Sequence, residues 1–327
     1  MKILVTGGGG FLGQAICRQL QDRGDEPVAL QRSHSSALEQ LAVEQRLGDI
    51  TDADAVSAAA ADCRAVIHTA GKAGAWGDPA DYEAINVTGT EHVIHACRKH
   101  GIADLVYTSS PSVVHAGGDI EGGDETLPYP DHYEAPYPRS KAAGEQAVMA
   151  ASDASLRTVS LRPHLIWGPG DNQLLPRLQE RARKGVIKLP GFNKLIDTVY
   201  IDNAAQAHLN ALDALTHNPA CHGKTYFISN GEPWTQGRLI AALLEASGIT
   251  AELKPVSPRL AQVAGALAEW WWQRMDRKDE PPLTRWSAEQ LSTAHWYDIS
   301  AARRDLAYTP TLSIAQGLER LRAASAV

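Results

Sequence analysis

The 327-residue chain has few cysteines, and none of them belongs to a recognisable motif. They are widely separated and lack the spacing of metal ligands, so the sequence predicts no metal site. Two of them fall in helix-like stretches, which favours buried thiols in a reducing, cytoplasmic environment. The four cysteines are Cys17, Cys63, Cys97 and Cys221.

Long apolar runs and an excess of positive charge are also absent. No run reaches the roughly 18 residues that a membrane span requires, and we expect no signal peptide before the first strand. The net charge of −7 and the isoelectric point near 5.9 argue against a nucleic-acid partner. A chain of this length is long for one compact unit, so we expect a nucleotide-binding half and a substrate-covering half.

A glycine-rich turn opens the chain. The apolar run 2–6 is typical of a strand buried on both faces, and it precedes Gly7 to Gly10 and a helix-like stretch from Phe11. This order directs backbone N–H groups and the positive end of a helix dipole at a pyrophosphate. A flexible surface loop is the alternative.

Two overlapping patterns fit the glycines. One is Gly8-x-Gly10-x-x-Gly13, and the other is Gly7-x-x-Gly10-x-x-Gly13 preceded by Thr6. Both are typical of a dinucleotide site. The residues predicted to contact the dinucleotide here are Gly7, Gly10, Phe11, Leu12 and Gly13.

The end of the second predicted strand indicates which dinucleotide binds. Val28 to Leu30 should form this strand, and Arg32 and Ser33 follow where an NAD site usually has an acid. An arginine and a hydroxyl can instead hydrogen-bond a 2′-phosphate. We therefore predict NADP(H), with a solvated surface charge as the alternative role for Arg32.

The first half alternates between strand and helix patterns, which predicts an α/β fold with a Rossmann-type, doubly wound parallel sheet. Ligands of such sheets bind at the carboxyl ends of the strands, where Asp49, Ile50, Gly71, Ser109 and Ser110 fall. The predicted elements are a strand at 46–49, a helix at 52–61, a strand at 65–70, a helix at 86–100 and a strand at 105–109.

Tyr137 and Lys141 are four residues apart, so on a helix they share one face. The spacing is weak by itself. Combined with the glycine turn and a serine cluster that ends a strand, it indicates a nicotinamide-dependent enzyme with a tyrosine proton donor.

These motifs together resemble the extended short-chain dehydrogenases/reductases, and among them the 3β-hydroxysteroid dehydrogenase type. The resemblance runs nearly end to end and is weakest between Pro255 and Trp296. Its motifs are Thr6 to Gly13, Asn86 to Thr90, Tyr107 to Ser110, Tyr137 with Lys141, Leu161 to Pro163, Trp167 to Asp171, Val199 to Asp202 and Leu306 to Pro310.

The resemblance implies a role for each catalytic residue. Tyr137 would donate a proton to the substrate carbonyl, Lys141 would hold the nicotinamide ribose and lower the tyrosine pKa, and Ser110 would hydrogen-bond the carbonyl. Ser110 as a turn former, with Ser109 or Ser112 donating instead, is the alternative. The implied cofactor contacts also include Asp49, Ile50, Gly71, Tyr137, Lys141 and Pro163.

Two stretches, 110–115 and 136–141, resemble more narrowly the bacterial 2-alkyl-3-oxoalkanoate reductases of olefin (head-to-head hydrocarbon) biosynthesis. This implies NADPH-dependent reduction of a long-chain 2-alkyl-3-oxoalkanoate. Steroid-like and nucleotide-sugar substrates are alternatives, the latter with Arg177, Arg181 and Lys188 available for a second diphosphate. A non-catalytic NADP-binding regulator or scaffold is the alternative from a different class.

The second half is harder to interpret. We predict a dinucleotide-binding domain over 1–163, to which 197–229 returns, and a mainly substrate-binding region over 164–327. The predicted elements are strands at 197–202 and 226–229 and helices at 235–246 and 260–275.

The helix at 260–275 carries an apolar stripe and three consecutive tryptophans, which fan across about 200°. We expect at least one of Trp270, Trp271 and Trp272 to leave the buried stripe and to line a substrate tunnel, contact a partner or touch a membrane. Packing of all three within the chain is the alternative. The expected partners are a hydrophobic small molecule, other enzymes of the hydrocarbon pathway, a membrane surface and further copies of the chain.

Overall fold

The computed structural model describes residues 1–325 and places a seven-stranded sheet at the centre of the molecule. The strands of this part of the chain are β1 (Lys2–Thr6), β2 (Glu26–Gln31), β3 (Glu44–Leu47), β4 (Ala65–His68), β5 (Asp104–Thr108), β6 (Ile120–Gly123), β7 (Arg157–Pro163), β8 (Ile166–Trp167), β9 (Val186–Leu189), β10 (Leu195–Ile196), β11 (Val199–Tyr200), β12 (Lys224–Ile228), β13 (Trp234–Thr235), β14 (Glu252–Pro255) and β15 (His295–Tyr297).

The α-helices are distributed along the whole described chain. They are α1 (Phe11–Asp22), α2 (Ser36–Gln40), α3 (Ala53–Ala60), α4 (Pro79–Glu83), α5 (Gly89–His100), α6 (Pro136–Ala150), α7 (Leu174–Ala182), α8 (Ile201–His217), α9 (Gln236–Ala246), α10 (Pro258–Arg274), α11 (Arg285–Gln290), α12 (Ser300–Asp305) and α13 (Ile314–Ser325).

The central sheet is parallel throughout and has the strand order β12-β7-β5-β4-β1-β2-β3. Its inner strands are buried on both faces, to which successive side chains point in alternation, whereas the edge strand β3 has no buried residue. Ile3 and Val5 pack in one apolar core with α1 and α8, whereas Leu4 packs in a second core with α3 and α5. The predicted doubly wound Rossmann-type sheet is confirmed.

Smaller sheets make up much of the remaining structure. One has the order β13-β10-β15-β6, and β8 with β11 and β9 with β14 form two further pairs. Strand β6 lies between β5 and α6 in sequence but pairs with β15 near the other end of the chain. Strand β12 belongs to the central sheet, next to β7. The division into a dinucleotide-binding domain over 1–163, to which 197–229 returns, and a mainly substrate-binding region over 164–327 stays a prediction.

Two predicted strands differ from the observed ones. The third strand covers Glu44–Leu47 and not 46–49, so Asp49 lies in the loop beyond it. The predicted strand at 197–202 is only Val199–Tyr200, which pairs with β8 outside the central sheet. Helix α8 then begins at Ile201 and packs on α1 and the sheet.

The apolar stripe of helix α10 is exposed, which corrects the expectation of a buried stripe. Leu260, Leu267 and Trp270 are 61–68% exposed and Trp271 is 49% exposed, so packing of all three tryptophans within the chain is wrong. The buried face of α10 consists of Ala261 and Gly265. The small size of these two residues allows α10 to approach α11 closely. Helical periodicity identified the stripe but not the side on which the helix packs.

No residue of α10 lines the large cavity described below, so within the described chain its tryptophans form no substrate tunnel there. Contact of this helix with a partner or a membrane surface stays a prediction. Between residues 1 and 325, no helix has both the length and the apolar character that crossing a bilayer requires.

Helix α6 approaches its neighbours most closely at Gly144. A Cβ atom there would lie 2.5 Å from the carbonyl oxygen of Asn86 and 2.7 Å from the hydroxyl of Tyr107. Asn86 belongs to a π-helical turn, Ala84–Thr88, which leads into α5. The missing side chain therefore sets the distance between α6, this turn and strand β5.

We expect Gly144→Ala to lower the free energy of unfolding by about 1–3 kcal/mol, because the added methyl group overpacks this contact. Chemical denaturation measures the change. Gln146→Ala on the exposed side of the same helix is the control and should change stability by less than about 0.5 kcal/mol. Equal stability of the two variants would contradict the proposed role of Gly144.

Candidate active site

A cavity of about 1300 Å³ lies at the carboxyl ends of the central strands. It extends from the glycine turn after β1 to the serines after β5, Tyr137 on α6 and Trp286 on α11. Because carboxyl ends of parallel strands meet at one edge of a sheet, segments distant in sequence converge there. This cavity is the candidate active site.

The glycine turn has the geometry that a bound pyrophosphate requires. Gly7 has a φ of +70°, and its carbonyl oxygen accepts a hydrogen bond from the Gly10 N–H at 2.9 Å. A Cβ on Gly13 would overlap that same carbonyl oxygen. The turn thus favours the Gly7-x-x-Gly10-x-x-Gly13 pattern, and it leaves the N-terminus of α1 open toward the cavity.

The opposite end of the nucleotide region contains the groups predicted to select the dinucleotide. Arg32, Ser33 and Asp49 line the cavity, and Arg32 is exposed. The Gln31 amide donates to the Gln45 side chain at 2.6 Å, which leaves Arg32 and Ser33 free to face a ligand. Hydrogen bonds from Thr51 lower the pKa of Asp49, with a smaller contribution from Arg32.

Tyr137 lies at the junction of the nucleotide region and the remaining cavity. Burial raises the pKa of its phenol, and the Ser110 hydroxyl acts in the opposite direction. The Ser110 and Ser112 hydroxyl oxygens are 2.9 Å apart. Ser110 also caps the turn Pro111–Val114, so its predicted role at a carbonyl and the alternative turn-forming role are compatible. The edge of the Trp286 ring faces Tyr137 at 6.2 Å between centroids.

Lys141 is buried one helical turn after Tyr137. Its ammonium donates to the Thr108 carbonyl oxygen at 2.6 Å and lies 4.2 Å from the centre of the Tyr107 ring. Burial lowers the pKa of Lys141 to about 7, although the Glu145 carboxylate acts to raise it. Burial also raises the pKa of Tyr137, and a lowering of that pKa by Lys141 stays a prediction.

A buried ion pair anchors the catalytic helix to the sheet. Glu145 on α6 accepts hydrogen bonds from the Arg162 guanidinium on β7 at 2.7 and 3.0 Å. Tyr129 and Ser160 donate to the same carboxylate at 2.6 and 2.9 Å. The Glu145 side chain is 0% exposed and the Arg162 side chain is 2% exposed. Their hydrogen-bonded pairing offsets the cost of burying two charges.

Asn86 is a site residue that sequence reasoning did not identify by role. Its side-chain amide accepts from the Lys72 N–H at 2.7 Å and donates to the Lys72 carbonyl oxygen at 2.9 Å. It also donates to the Ser140 hydroxyl on α6 at 2.9 Å. Asn86 therefore connects the loop after β4 to the catalytic helix. Its presence in the Asn86 to Thr90 motif was the available signal.

The part of the cavity beyond Tyr137 is lined by residues that the sequence did not single out. His164 follows β7, Trp286 and Gln290 come from α11, and Tyr297 comes from β15. His164 is more than 100 positions from the other three residues, so no local motif could have linked it to them. Their convergence depends on the pairing of β15 with β6 and β10.

The predicted site residues are brought together in this one region. Lys141 is buried, with its ammonium near Gly71. The residues that line the cavity are Gly7, Gly10, Phe11, Leu12, Gly13, Arg32, Ser33, Asp49, Ile50, Gly71, Ser110, Tyr137 and Pro163. Their individual roles stay predictions.

Comparison with known proteins agrees with this geometry. Residues 4–256 match the model of the 3-beta hydroxysteroid dehydrogenase/isomerase family. The chain belongs to this family. Over its full length and that of the relative, it is 54% identical to a 2-alkyl-3-oxoalkanoate reductase of Stenotrophomonas maltophilia.

More distant relatives have related folds or names. A 3 beta-hydroxysteroid dehydrogenase/Delta 5→4-isomerase of Mycobacterium tuberculosis is 33% identical over 97% of this chain and 88% of its own length. The crystal structure of a Thermus thermophilus UDP-glucose 4-epimerase with NAD has a TM-score of 0.76 and 24% identity, and covers 100% of this chain and 99% of its own. This last similarity concerns the fold alone.

This member of the 3-beta hydroxysteroid dehydrogenase/isomerase family is an oxidoreductase of the short-chain dehydrogenase/reductase superfamily. The family uses nicotinamide cofactors, and the glycine turn with its tight Gly7–Gly13 contact fits a dinucleotide. The protein is therefore an enzyme, which excludes the alternative of a non-catalytic regulator or scaffold.

We expect Tyr137→Phe to reduce turnover by roughly 10²-fold or more, because it removes the general acid while keeping the ring. Cofactor affinity, measured by calorimetric titration, should change little. Tyr133→Phe is a matched control, since the Tyr133 hydroxyl donates to the Val113 carbonyl oxygen away from the cavity lining. Near-normal turnover of Tyr137→Phe would mean that another group supplies the proton.

Proposed function

We propose that the protein catalyses NADPH-dependent reduction of a long-chain 2-alkyl-3-oxoalkanoate to the 2-alkyl-3-hydroxyalkanoate. The full-length match at 54% identity to a relative of that name is the observation that carries this proposal. It is supported by the Tyr137, Ser110 and Lys141 constellation beside a nucleotide-binding turn. In this proposal the enzyme acts in bacterial olefin biosynthesis.

The proposed roles follow from the positions of the side chains. A bound nicotinamide supplies the hydride. Tyr137 donates its phenolic proton to the carbonyl oxygen as negative charge develops there, and Ser110 donates a second hydrogen bond to that oxygen. Lys141 would hold the ribose hydroxyls of the bound nicotinamide cofactor. The Tyr137 phenol carries its proton at neutral pH, and burial, which raises its pKa, favours this form further.

The wall of the substrate region supports an apolar substrate. Leu165, Leu174, Trp286 and Tyr297 contribute carbon-rich surface to the cavity. Of the three cations considered for a second diphosphate, only Arg177 lines the cavity in the described chain, and it is paired with Glu280 at 2.9 Å. These observations favour an acyl substrate over a nucleotide sugar.

The experiment that tests the function follows NADPH consumption by its near-ultraviolet absorbance. The panel contains 2-alkyl-3-oxoalkanoates of increasing chain length, a 3-oxosteroid and a UDP-hexose. We expect the purified enzyme to reduce the alkyl-branched 3-oxo acids with the highest kcat/KM. A higher value for the steroid would contradict the proposal, and so would conversion of the UDP-hexose alone, which product analysis detects because epimerisation consumes no net NADPH.

Selection of NADP(H) over NAD(H) is tested separately at Arg32. We expect the unmodified protein to bind NADPH several-fold more tightly, and Arg32→Ala to remove much of this preference, because a charge-assisted hydrogen bond to the 2′-phosphate is lost. Affinity for NADH should stay nearly constant. Arg64→Ala, which changes an exposed arginine outside the cavity lining, is the control. Equal affinities for both dinucleotides in the unmodified protein would overturn the assignment.

A further inference from the structure

A histidine–carboxylate pair lies in the substrate region and has no part in the roles assigned so far. His164 follows β7 and lines the cavity, and its Nδ1 is 2.6 Å from Oδ1 of Asp197. The Asp197 side chain is 1% exposed, and the His164 side chain is 10% exposed. In the described structure, Nε2 of His164 has no hydrogen-bond partner and is not among the fully buried polar atoms. This second nitrogen is therefore accessible from the cavity.

The buried Asp197 carboxylate requires a polar partner, and His164 is positioned to supply it. A buried carboxylate is costly unless a cation or several hydrogen bonds compensate it. Within residues 1–325, Asp197 has one ion-pair partner, His164, and its other oxygen accepts from the Tyr297 N–H at 3.0 Å. A protonated imidazole satisfies Oδ1 through Nδ1–H and directs Nε2–H into the cavity.

The other groups around His164 do not compete for this proton. His295 faces the imidazole edge-on at 5.2 Å between centroids, and Tyr297 does so at 5.4 Å. Burial, reinforced by the charge on His164, lowers the pKa of His295 to about 3, and burial also lowers the pKa of His115. Burial and the nearby Asp197 raise the pKa of Tyr297, which remains a neutral phenol. His164 is the one member of the histidine cluster that faces the cavity.

The sheet places His164 close to the carbonyl-binding serines. The Ser109 N–H donates to the Leu161 carbonyl oxygen at 2.6 Å, so the chain after β5 runs beside the end of β7. Neighbouring strands are about 4.8 Å apart. Ser110 and His164 are thus the continuations of two adjacent strands at the same edge of the sheet.

We propose that His164, held by Asp197, binds the carboxylate of a 2-substituted 3-oxo acid while Ser110 and Tyr137 hold its keto oxygen. This inference rests on the proposed function. It identifies His164 as the residue by which the site distinguishes a 3-oxo acid from a neutral ketone. In a 3-oxo acid the carboxyl carbon is two bonds, about 2.5 Å, from the keto carbon. Its binding partner must therefore lie near Ser110, and His164 lines the same cavity at the end of the adjacent strand.

Two other cations line this part of the cavity, and both are already paired at its edge. The Lys72 ammonium is 2.5 Å from the Asp81 carboxylate, which is 58% exposed. Arg177 is itself 57% exposed and pairs with Glu280. Lys72 follows β4, which also pairs with β5, but it lies four residues beyond the end of that strand and its ammonium is held by Asp81. Arg177 lies on α7 and follows no strand next to β5.

The test compares an acid with its methyl ester. Because 3-oxo acids lose carbon dioxide spontaneously, the assay runs in the reverse direction, with NADP⁺ and a 2-alkyl-3-hydroxyalkanoate or its ester. We expect the unmodified enzyme to prefer the acid. His164→Gln should lower kcat/KM for the acid by about 10- to 100-fold, the loss expected for one hydrogen bond to a charged group, and should change the ester little. Asp197→Asn should also lower kcat/KM for the acid relative to the ester.

The control is His295→Gln, which changes a neighbouring buried imidazole that does not line the cavity. It should leave the ratio of acid to ester unchanged. Thermal unfolding and NADP⁺ affinity identify variants that fail to fold, and Asp197→Asn carries the test if His164→Gln is one of them. If His164→Gln lost kcat/KM equally for acid and ester, or lost NADP⁺ affinity instead, the role of His164 would be overturned and the proposed function would stand. No turnover of either compound by the unmodified enzyme would overturn the proposed function as well.

Discussion

The buried ion pair between Glu145 and Arg162 determines where the reactive groups of this protein lie. Glu145 is on α6, two turns after Tyr137 and one turn after Lys141, and Arg162 is on β7, directly before Pro163 and His164. Both side chains are removed from solvent, and the Glu145 carboxylate accepts hydrogen bonds from Tyr129 and Ser160 as well as from Arg162. Removing one partner would leave an uncompensated charge at a cost of about 3–5 kcal/mol. The pair thus ties the helix with the proton donor to the strand that leads into the substrate region.

Burial has opposite effects on the pKa values of Tyr137 and Lys141, the two reactive groups on α6. It raises the pKa of Tyr137 and lowers that of Lys141, so in both cases the neutral form is favoured. A tyrosine that remains protonated is suited to donate a proton. A lysine with a pKa of about 7 gains its full charge only where hydrogen-bond acceptors or anions surround it, and the Thr108 carbonyl oxygen and the Glu145 carboxylate supply part of that environment.

The cavity joins two regions of different construction. The nucleotide region consists mainly of backbone and small side chains at consecutive strand ends, from Gly7 to Gly71. The substrate region is assembled from His164, Trp286 and Tyr297, which come from three separate parts of the chain. Short, local segments suffice to bind a phosphate group because backbone N–H groups do the binding. An acyl substrate requires side chains that only tertiary folding brings together, and this is where we place the carboxylate-binding role of His164.

The sequence by itself determined the sheet, the glycine turn and the shared helical face of Tyr137 and Lys141. Each depends on short-range periodicity or on backbone geometry that few residues permit, as at Gly7 and Gly13. It did not determine the pairing of His164 with Asp197, 33 residues away, or the exposed side of α10. An apolar stripe shows that a helix has two faces, but the packing of Gly265 against α11 decided which of them is buried. Likewise, the upward shift of the Tyr137 pKa comes from desolvation in the folded core, because burial is a property of the whole packed structure and not of neighbouring residues in the chain.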